Sequence, residues 1–262
     1  RFIEAYVAEQ NMAGIASGLA SRGMLPVAAT FAAFWTRAYD QLRMAQYAGT
    51  HQVFIGTHAG VSIGHDGASQ MGLEDIALFR TLEQSTVLYP SDAYAAEKLM
   101  HLALKAPGIV YIRATRAATP VLHARSTQFV LGGSHTLRSS TKDVATIVAA
   151  GITLYEAIAA ADALATQGIN IRVIDLYSIK PLDITALQKA TRQTAKLIVV
   201  EDHRQEGGIA EAVRAALDHD AGSVLSLAVH GIPHSGTTAE LLHAHAIDAA
   251  AIMRSVKKLL KH

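Results

Sequence analysis

The chain has no cysteine, which excludes a disulfide framework, thiolate-bound metal and a cysteine nucleophile. It also lacks an excess of either charge: 23 Lys and Arg stand against 22 Asp and Glu, for a formal net charge of +1. No basic stripe is present apart from Lys257-Lys258 and Lys261, which read as a helix end matched to its dipole. Nucleic acid is therefore not an expected partner. No apolar run approaches the ~20 residues needed to cross a bilayer. No signal peptide is visible either, so a cytoplasmic location is expected, although the chain starts with Arg rather than Met.

Several chemical signatures are missing as well. There is no Gly-Lys-Ser/Thr phosphate loop, and Gly151 stands alone rather than opening a G-x-G-x-x-G turn. No serine sits in a nucleophile elbow, and the adjacent Asp202-His203 pair makes no triad. His58, His65 and Asp66 lie close together, but their spacing fits no standard ligand pattern, so no metal ligand is assigned in this chain. His123, His135, His219 and His243 have no motif around them. No fixed-period repeat or low-complexity segment occurs.

What is present is apolar and alternating. Half of the 262 residues are hydrophobic and 17% are charged, the composition of a compact chain long enough for one or two domains. Apolar runs at 25–31, 52–56, 86–89 and 109–113 read as buried strands, with helical periodicity at 36–47, 73–82 and 93–104 between them. A second block places strands near 144–150, 171–176, 196–200 and 224–229, with helices at 154–167, 184–194 and 209–218. Strand–helix alternation predicts an α/β protein with two doubly wound, mainly parallel sheets. Between the blocks, residues 117–142 turn polar and contain Gly and Ser, as an interdomain linker would. In such sheets ligands bind beyond the carboxyl ends of the strands, where Phe34, His58 and Arg116 fall.

Glu9 holds a particular place. Residues 1–7 read as a short strand or strand end, and Met12, Ile15, Ala16 and Leu19 follow at helical spacing. Glu9 thus lies in a first helical turn, where free N–H groups and the helix dipole favour an anion. Phe31 and Phe34 straddle a strand end and could pack in the core or stack on a flat ring. The loop from Gly56 to Gln70 gathers glycine and polar groups directly after a strand. Arg113 and Arg116 close the last strand of the first block; a planar permanent cation suits a phosphate. Glu201-Asp202-His203 reads as a structural turn before Glu206-Gly207-Gly208.

Taken in order, Phe2-Ile3-Glu4 into Ala8-Glu9-Gln10-Asn11-Met12, Thr30-Phe31-Ala32-Ala33-Phe34 and His58-Ala59-Gly60-Val61-Ser62-Ile63-Gly64 resemble transketolase. Tyr89-Pro90-Ser91-Asp92, Ile179-Lys180-Pro181-Leu182-Asp183, Val200-Glu201-Asp202-His203 and Glu206-Gly207-Gly208 extend the likeness along nearly the whole chain. The resemblance implies a thiamine diphosphate pyrimidine-binding domain at 1–122, its first strand and helix missing. A linker at 123–142 and a transketolase C-terminal domain at 143–262 would follow.

The resemblance also implies roles: Glu9 as the catalytic carboxyl on the aminopyrimidine, and Phe34, Phe31 and Gln70 beside the cofactor. His58 and Asp66 would meet the sugar, Arg116 its phosphate, and Arg113 would be structural. The expected activity is transfer of a two-carbon ketol unit between sugar phosphates of the pentose phosphate pathway. Magnesium would be bound through a diphosphate domain absent from this chain, so the chain alone is expected to be inactive. Its partner would supply that half, in a homodimer or heterotetramer. Gly14 and Gly18, one turn apart, suit close approach of the Glu9 helix to a neighbour or ordinary internal packing.

The family's usual Gly-Glu-Asp-Gly-Pro is Gly64-His65-Asp66-Gly67-Ala68 here, which changes local charge and loop stiffness and leaves the sugar preference open. Dihydroxyacetone synthase and deoxyxylulose-phosphate synthase are the neighbouring activities. Beta-type subunits of 2-oxoacid dehydrogenases share Ala-Glu-Gln, but Asn11-Met12 and the Phe31–Phe34 segment favour transketolase. A noncatalytic assembly subunit is the reading from another class.

Overall fold

In the computed structural model, residues 1–217 and 223–261 are described. The chain begins with an irregular stretch and then helix α1 (Glu9–Ser21), which buries Glu9, Ala13, Ala16 and Ala20 on one stripe. Strand β1 (Val27–Phe31) runs into a 3-10 helix (Ala32–Ala38) and α2 (Tyr39–Tyr47). After β2 (Gln52–Thr57) come two 3-10 turns (Val61–Asp66, Ala68–Gln70) and α3 (Asp75–Arg80). Strand β3 (Thr86–Leu88), α4 (Ala93–Ala103) and β4 (Ile109–Arg113) follow. The Asp92 carboxylate caps α4 by accepting from the Ala95 amide.

The second half contains β5 (His135–Arg138), β6 (Asp143–Ala149), α5 (Thr153–Ala165), β7 (Asn170–Asp175) and β8 (Ser178–Lys180). Next come α6 (Ile184–Thr194), β9 (Lys196–Val200), α7 (Ile209–Leu217) and β10 (Ser223–Leu227). Helices α8 (Thr238–Ala244) and α9 (Ala249–Leu259) end it. Thr237 and Glu240 start α8 with a reciprocal capping box. No described helix is long and apolar enough to cross a membrane.

Two five-stranded sheets result, ordered β1-β2-β4-β3-β8 and β10-β9-β6-β7-β5. All pairings are parallel except β3–β8 and β5–β7. Strands β3 and β4 are buried along their length, as parallel strands covered on both faces must be. Strand β8 belongs to the second half in sequence but forms the edge of the first sheet. One apolar cluster accordingly runs from Trp35 and Phe54 through Tyr89 to Val148, Leu176 and Val199.

Three expectations change. Residues 1–7 are irregular rather than extended in a strand: β1 is an outer strand of its sheet and pairs only with β2. Phe2, Tyr6 and Val7 are 87%, 86% and 80% exposed, so no partner ladder or core holds this segment. The helix expected at 36–47 is a 3-10 helix followed by α2; the Thr36 hydroxyl bonds back to the Ala33 carbonyl. Residues 135–138, within the stretch expected as linker, form β5. Strand β8 and the whole of α8 went unread. Asp218 and His219 lie outside the described residues.

Candidate active site

Parallel register brings one end of the first sheet together. Phe31 lies opposite Thr57 and Gly56 opposite Arg113, so the segments leaving β1, β2 and β4 emerge side by side. These segments carry Phe34, His58 and Arg116.

The 3-10 helix after β1 sets the first part of the site. Residues three apart eclipse in such a helix, which places Phe34 and Arg37 on one face. Trp35 points the other way, fully buried, donates from Nε1 to the Ile55 carbonyl at 3.1 Å and meets Phe54 edge-on. Arg37 reaches α1 and donates to Glu9 Oε2 at 2.9 Å. The Glu9 side chain is 4% exposed and that of Arg37 is 55% exposed. A buried first-turn carboxylate is thus held by an outward guanidinium that engages one of its two oxygens. Phe31 stacks on Phe34 (centroids 5.4 Å apart) and on His58 (3.9 Å), making a continuous flat surface.

His58 adopts a left-handed backbone, φ 56°, which turns the chain sharply after β2. Its Nδ1 lies 3.0 Å from the Thr57 hydroxyl. Burial, and then the Arg116 guanidinium, hold the imidazole below its ordinary pKa against the opposing pull of Asp66. The ring is therefore neutral near pH 7, with one donor and one acceptor nitrogen. Arg116 donates to Asp66 Oδ1 at 2.9 Å, both groups being partly open to solvent. Gln70 ends the second 3-10 turn, which packs against the helix that carries Phe34.

The loop stands on the second half of the chain. Gly60 has φ 73°, and a Cβ there would sit 1.8 Å from Asp202 Oδ2, so only glycine permits this approach. Gly64 is pressed in the same way against the Gly236 carbonyl, and Thr238 Oγ1 donates to the Ser62 carbonyl at 3.0 Å. Beneath lies a buried ionic knot. Arg113 donates to Asp75 Oδ2 (2.9 Å) and Asp202 Oδ1 (2.7 Å), and to the carbonyls of Gly72 and Asp202. Tyr111 and Tyr89 complete it by donating to Asp75 and Asp202.

Glu9, Phe31, Phe34, His58, Asp66, Gln70 and Arg116 thus lie at one end of the first sheet, while Arg113 is buried below them. Three features were not read from the sequence. Arg37 was taken as part of a regular helix. Asp202, read within a structural turn of the tail domain, reaches across to the first sheet. The support from residues 236–238 had no local motif.

Two family models match the chain: the transketolase pyrimidine binding domain over residues 1–121 and the transketolase C-terminal domain over residues 134–252. Transketolase-like protein 1 of Macaca fascicularis is 49% identical over 263 residues, covering 99% of this chain and 44% of that protein. Transketolase of Homo sapiens is 46% identical over 263 residues, covering 99% and 42%. The chain spans less than half the length of these relatives. A solved split-gene transketolase, described as an inactive beta4 tetramer, superposes with a TM-score of 0.90 at 34% identity, covering 97% of this chain and 82% of that one. With matching sequence models, a near-complete overlay on that structure and the motifs gathered at one sheet end, this chain belongs to the transketolase family.

Proposed function

We propose that the chain supplies the pyrimidine-side half of a transketolase-type active site, moving a two-carbon ketol unit from a ketose phosphate to an aldose phosphate. The observation that carries this reading is the 3-10 helix after β1. It carries half-buried Phe34, stacked on Phe31, and on the same face Arg37, which holds the buried Glu9 carboxylate.

A flat aromatic surface next to a buried carboxyl group fits a planar heteroaromatic with a protonatable ring nitrogen, as the aminopyrimidine of thiamine diphosphate is. When bound, that cofactor supplies the carbanion chemistry that makes and breaks the carbon–carbon bond. Glu9 would hydrogen-bond the pyrimidine N1′. Phe34, with Phe31 behind it, would exclude water from one ring face. Gln70 would add a polar contact on the same side. His58, neutral and with its Nδ1 engaged by the Thr57 hydroxyl, would use Nε2, and Asp66 its carboxylate, to orient sugar hydroxyls.

The Asp66–Arg116 pair is already matched to a sugar phosphate, the guanidinium taking the phosphate and the carboxylate a hydroxyl. The pyrimidine-binding part is assigned to 1–122 and the C-terminal domain to 143–262, the intervening 123–142 contributing β5 to the second sheet. The diphosphate and its Mg²⁺ would be held by a separate N-terminal half, in a homodimer or heterotetramer. The cytoplasm is the compartment expected.

The test is ketol transfer from xylulose 5-phosphate to ribose 5-phosphate with thiamine diphosphate and Mg²⁺, on this chain alone and mixed with a transketolase N-terminal half. Activity is expected only in the mixture, and Glu9→Ala is expected to lower it by about 10³-fold. An equally active Glu9→Ala mixture would assign this chain to assembly rather than catalysis.

A further inference from the structure

Three buried atoms that can accept but have no hydrogen-bond partner converge far along the chain from the site above: His123 Nε2, His135 Nδ1 and Asp175 Oδ1. His123 lies in the irregular segment before β5, His135 opens β5, and Asp175 ends β7. The antiparallel β5–β7 register sets His135 directly opposite Asp175. One ligand atom from each of the three residues lies within 4.8 Å of the other two. His123 Nε2 stands 3.3 Å from Asp175 Oδ2, close to the edge of a tetrahedron whose bonds are about 2.0–2.1 Å long.

The far nitrogens fix which atoms face inward. His135 Nε2 lies 2.9 Å from the Gln128 carbonyl, so it must carry the proton and donate. His123 Nδ1 lies 3.1 Å from Asp92 Oδ2, which already accepts from the amides of Leu122 and His123. It too is a donor. In the neutral tautomer compatible with these contacts each ring turns a lone pair toward the Asp175 carboxylate, with the outer N–H tied to an oxygen, as in metal-bound imidazoles. A single proton between His123 and Asp175 would join two of these acceptors and leave His135 unserved. A cation would engage both nitrogens and the Asp175 carboxylate together, Oδ2 also accepting from Ser91 Oγ at 3.2 Å. Phe129 packs edge-on and Tyr177 at a tilt against the His135 ring, and half-buried His135 leaves a way in.

We propose that His123, His135 and Asp175 form a binding site for a borderline divalent cation of the Zn²⁺ or Co²⁺ type, with a solvent molecule completing four ligands. Two imidazoles with one carboxylate suit such ions and not Mg²⁺ or Ca²⁺, which take oxygen. The site would clip the segment before β5 to both halves of the molecule. Its outer carboxylate, Asp92, caps α4 in the first half, and Asp175 belongs to the second sheet. This inference does not depend on the reaction proposed above.

The experiment uses the full chain without a histidine tag, stripped with chelator and titrated with Co²⁺ and Zn²⁺. Expected are one equivalent bound per chain, visible ligand-field absorption from Co²⁺ that Zn²⁺ abolishes, and no effect of Mg²⁺. A melting midpoint higher by roughly 5 °C is expected when metal exceeds its Kd about a hundredfold. His135→Ala should weaken binding at least about 100-fold while melting like stripped wild type. X-ray absorption on the wild-type complex, which needs no variant, should count two imidazoles. Absence of stoichiometric binding, retention of affinity in His135→Ala, or a shell without two imidazoles would each overturn the proposal.

Discussion

At Arg113 a permanent charge is removed from water and returned to two carboxylates, two carbonyls and the face of Tyr89, whose ring centre is 4.5 Å away. Removing one member of such a set leaves the opposite charges stranded. Arg113→Met should therefore destabilise the chain by about 3–5 kcal/mol, read as a lower urea midpoint. His203, packed against Asp75 and Arg113, is pushed down to about 4 by burial, from an ordinary 6.5. An imidazole held neutral stabilises the fold fully above pH 6.5, and this contribution is lost as pH falls from 6.5 toward 4. The loss is on the order of 3 kcal/mol. Glu201, raised to about 8 by burial over the opposing hydrogen bonds from the Ile209 and Ala210 amides, acts oppositely, its contribution lost as pH rises from 4.5 to 8. The quantity to measure is thus the stability of wild type minus that of His203→Gln, which should fall by about 3 kcal/mol as pH drops from 6.5 to 4. The positions of Phe34, His58 and Arg116 just beyond β1, β2 and β4 followed from the strand pattern, whereas the strand expected before Glu9 is absent. The His123, His135 and Asp175 set was not legible, because its members are far apart in sequence and only strand register unites them.

Several longer elements were legible, α6 and β9 on the spans expected from periodicity alone, whereas α9 was read only at its basic end. Strands of three and four residues, such as β8 and β5, are too short to show a period. The Thr237–Glu240 capping box announced α8 and went unused. The 3-10 helix escaped because its side-chain spacing resembles an α-helix over only seven residues. On α1, Gly14 and Gly18 have open space where a Cβ would stand, with nothing within 4 Å, so packing inside this chain does not require them. Gly18→Ala should raise the chain's own stability by about 1 kcal/mol, measured by urea unfolding. Failure of the same variant to reconstitute activity with an N-terminal half would place α1 against that partner.

Across the whole molecule, alternation of strand and helix announced two wound sheets, yet not their shared edge. Strand β8 lies far beyond the stretch expected as linker but pairs antiparallel with β3. A fragment of residues 1–122 would therefore keep β3 with an open row of donors and acceptors, the form that invites edge-to-edge association. Such a fragment should sediment as concentration-dependent oligomers, and adding residues 123–262 in trans should dissolve them. The same pairing bears on synthesis. Leu88 waits for Ser178, some 90 residues downstream. At about 5–20 residues per second, the nascent first sheet would stand unfinished for roughly 5–18 s. During that interval a chaperone, rather than β8, is the natural guardian of its edge.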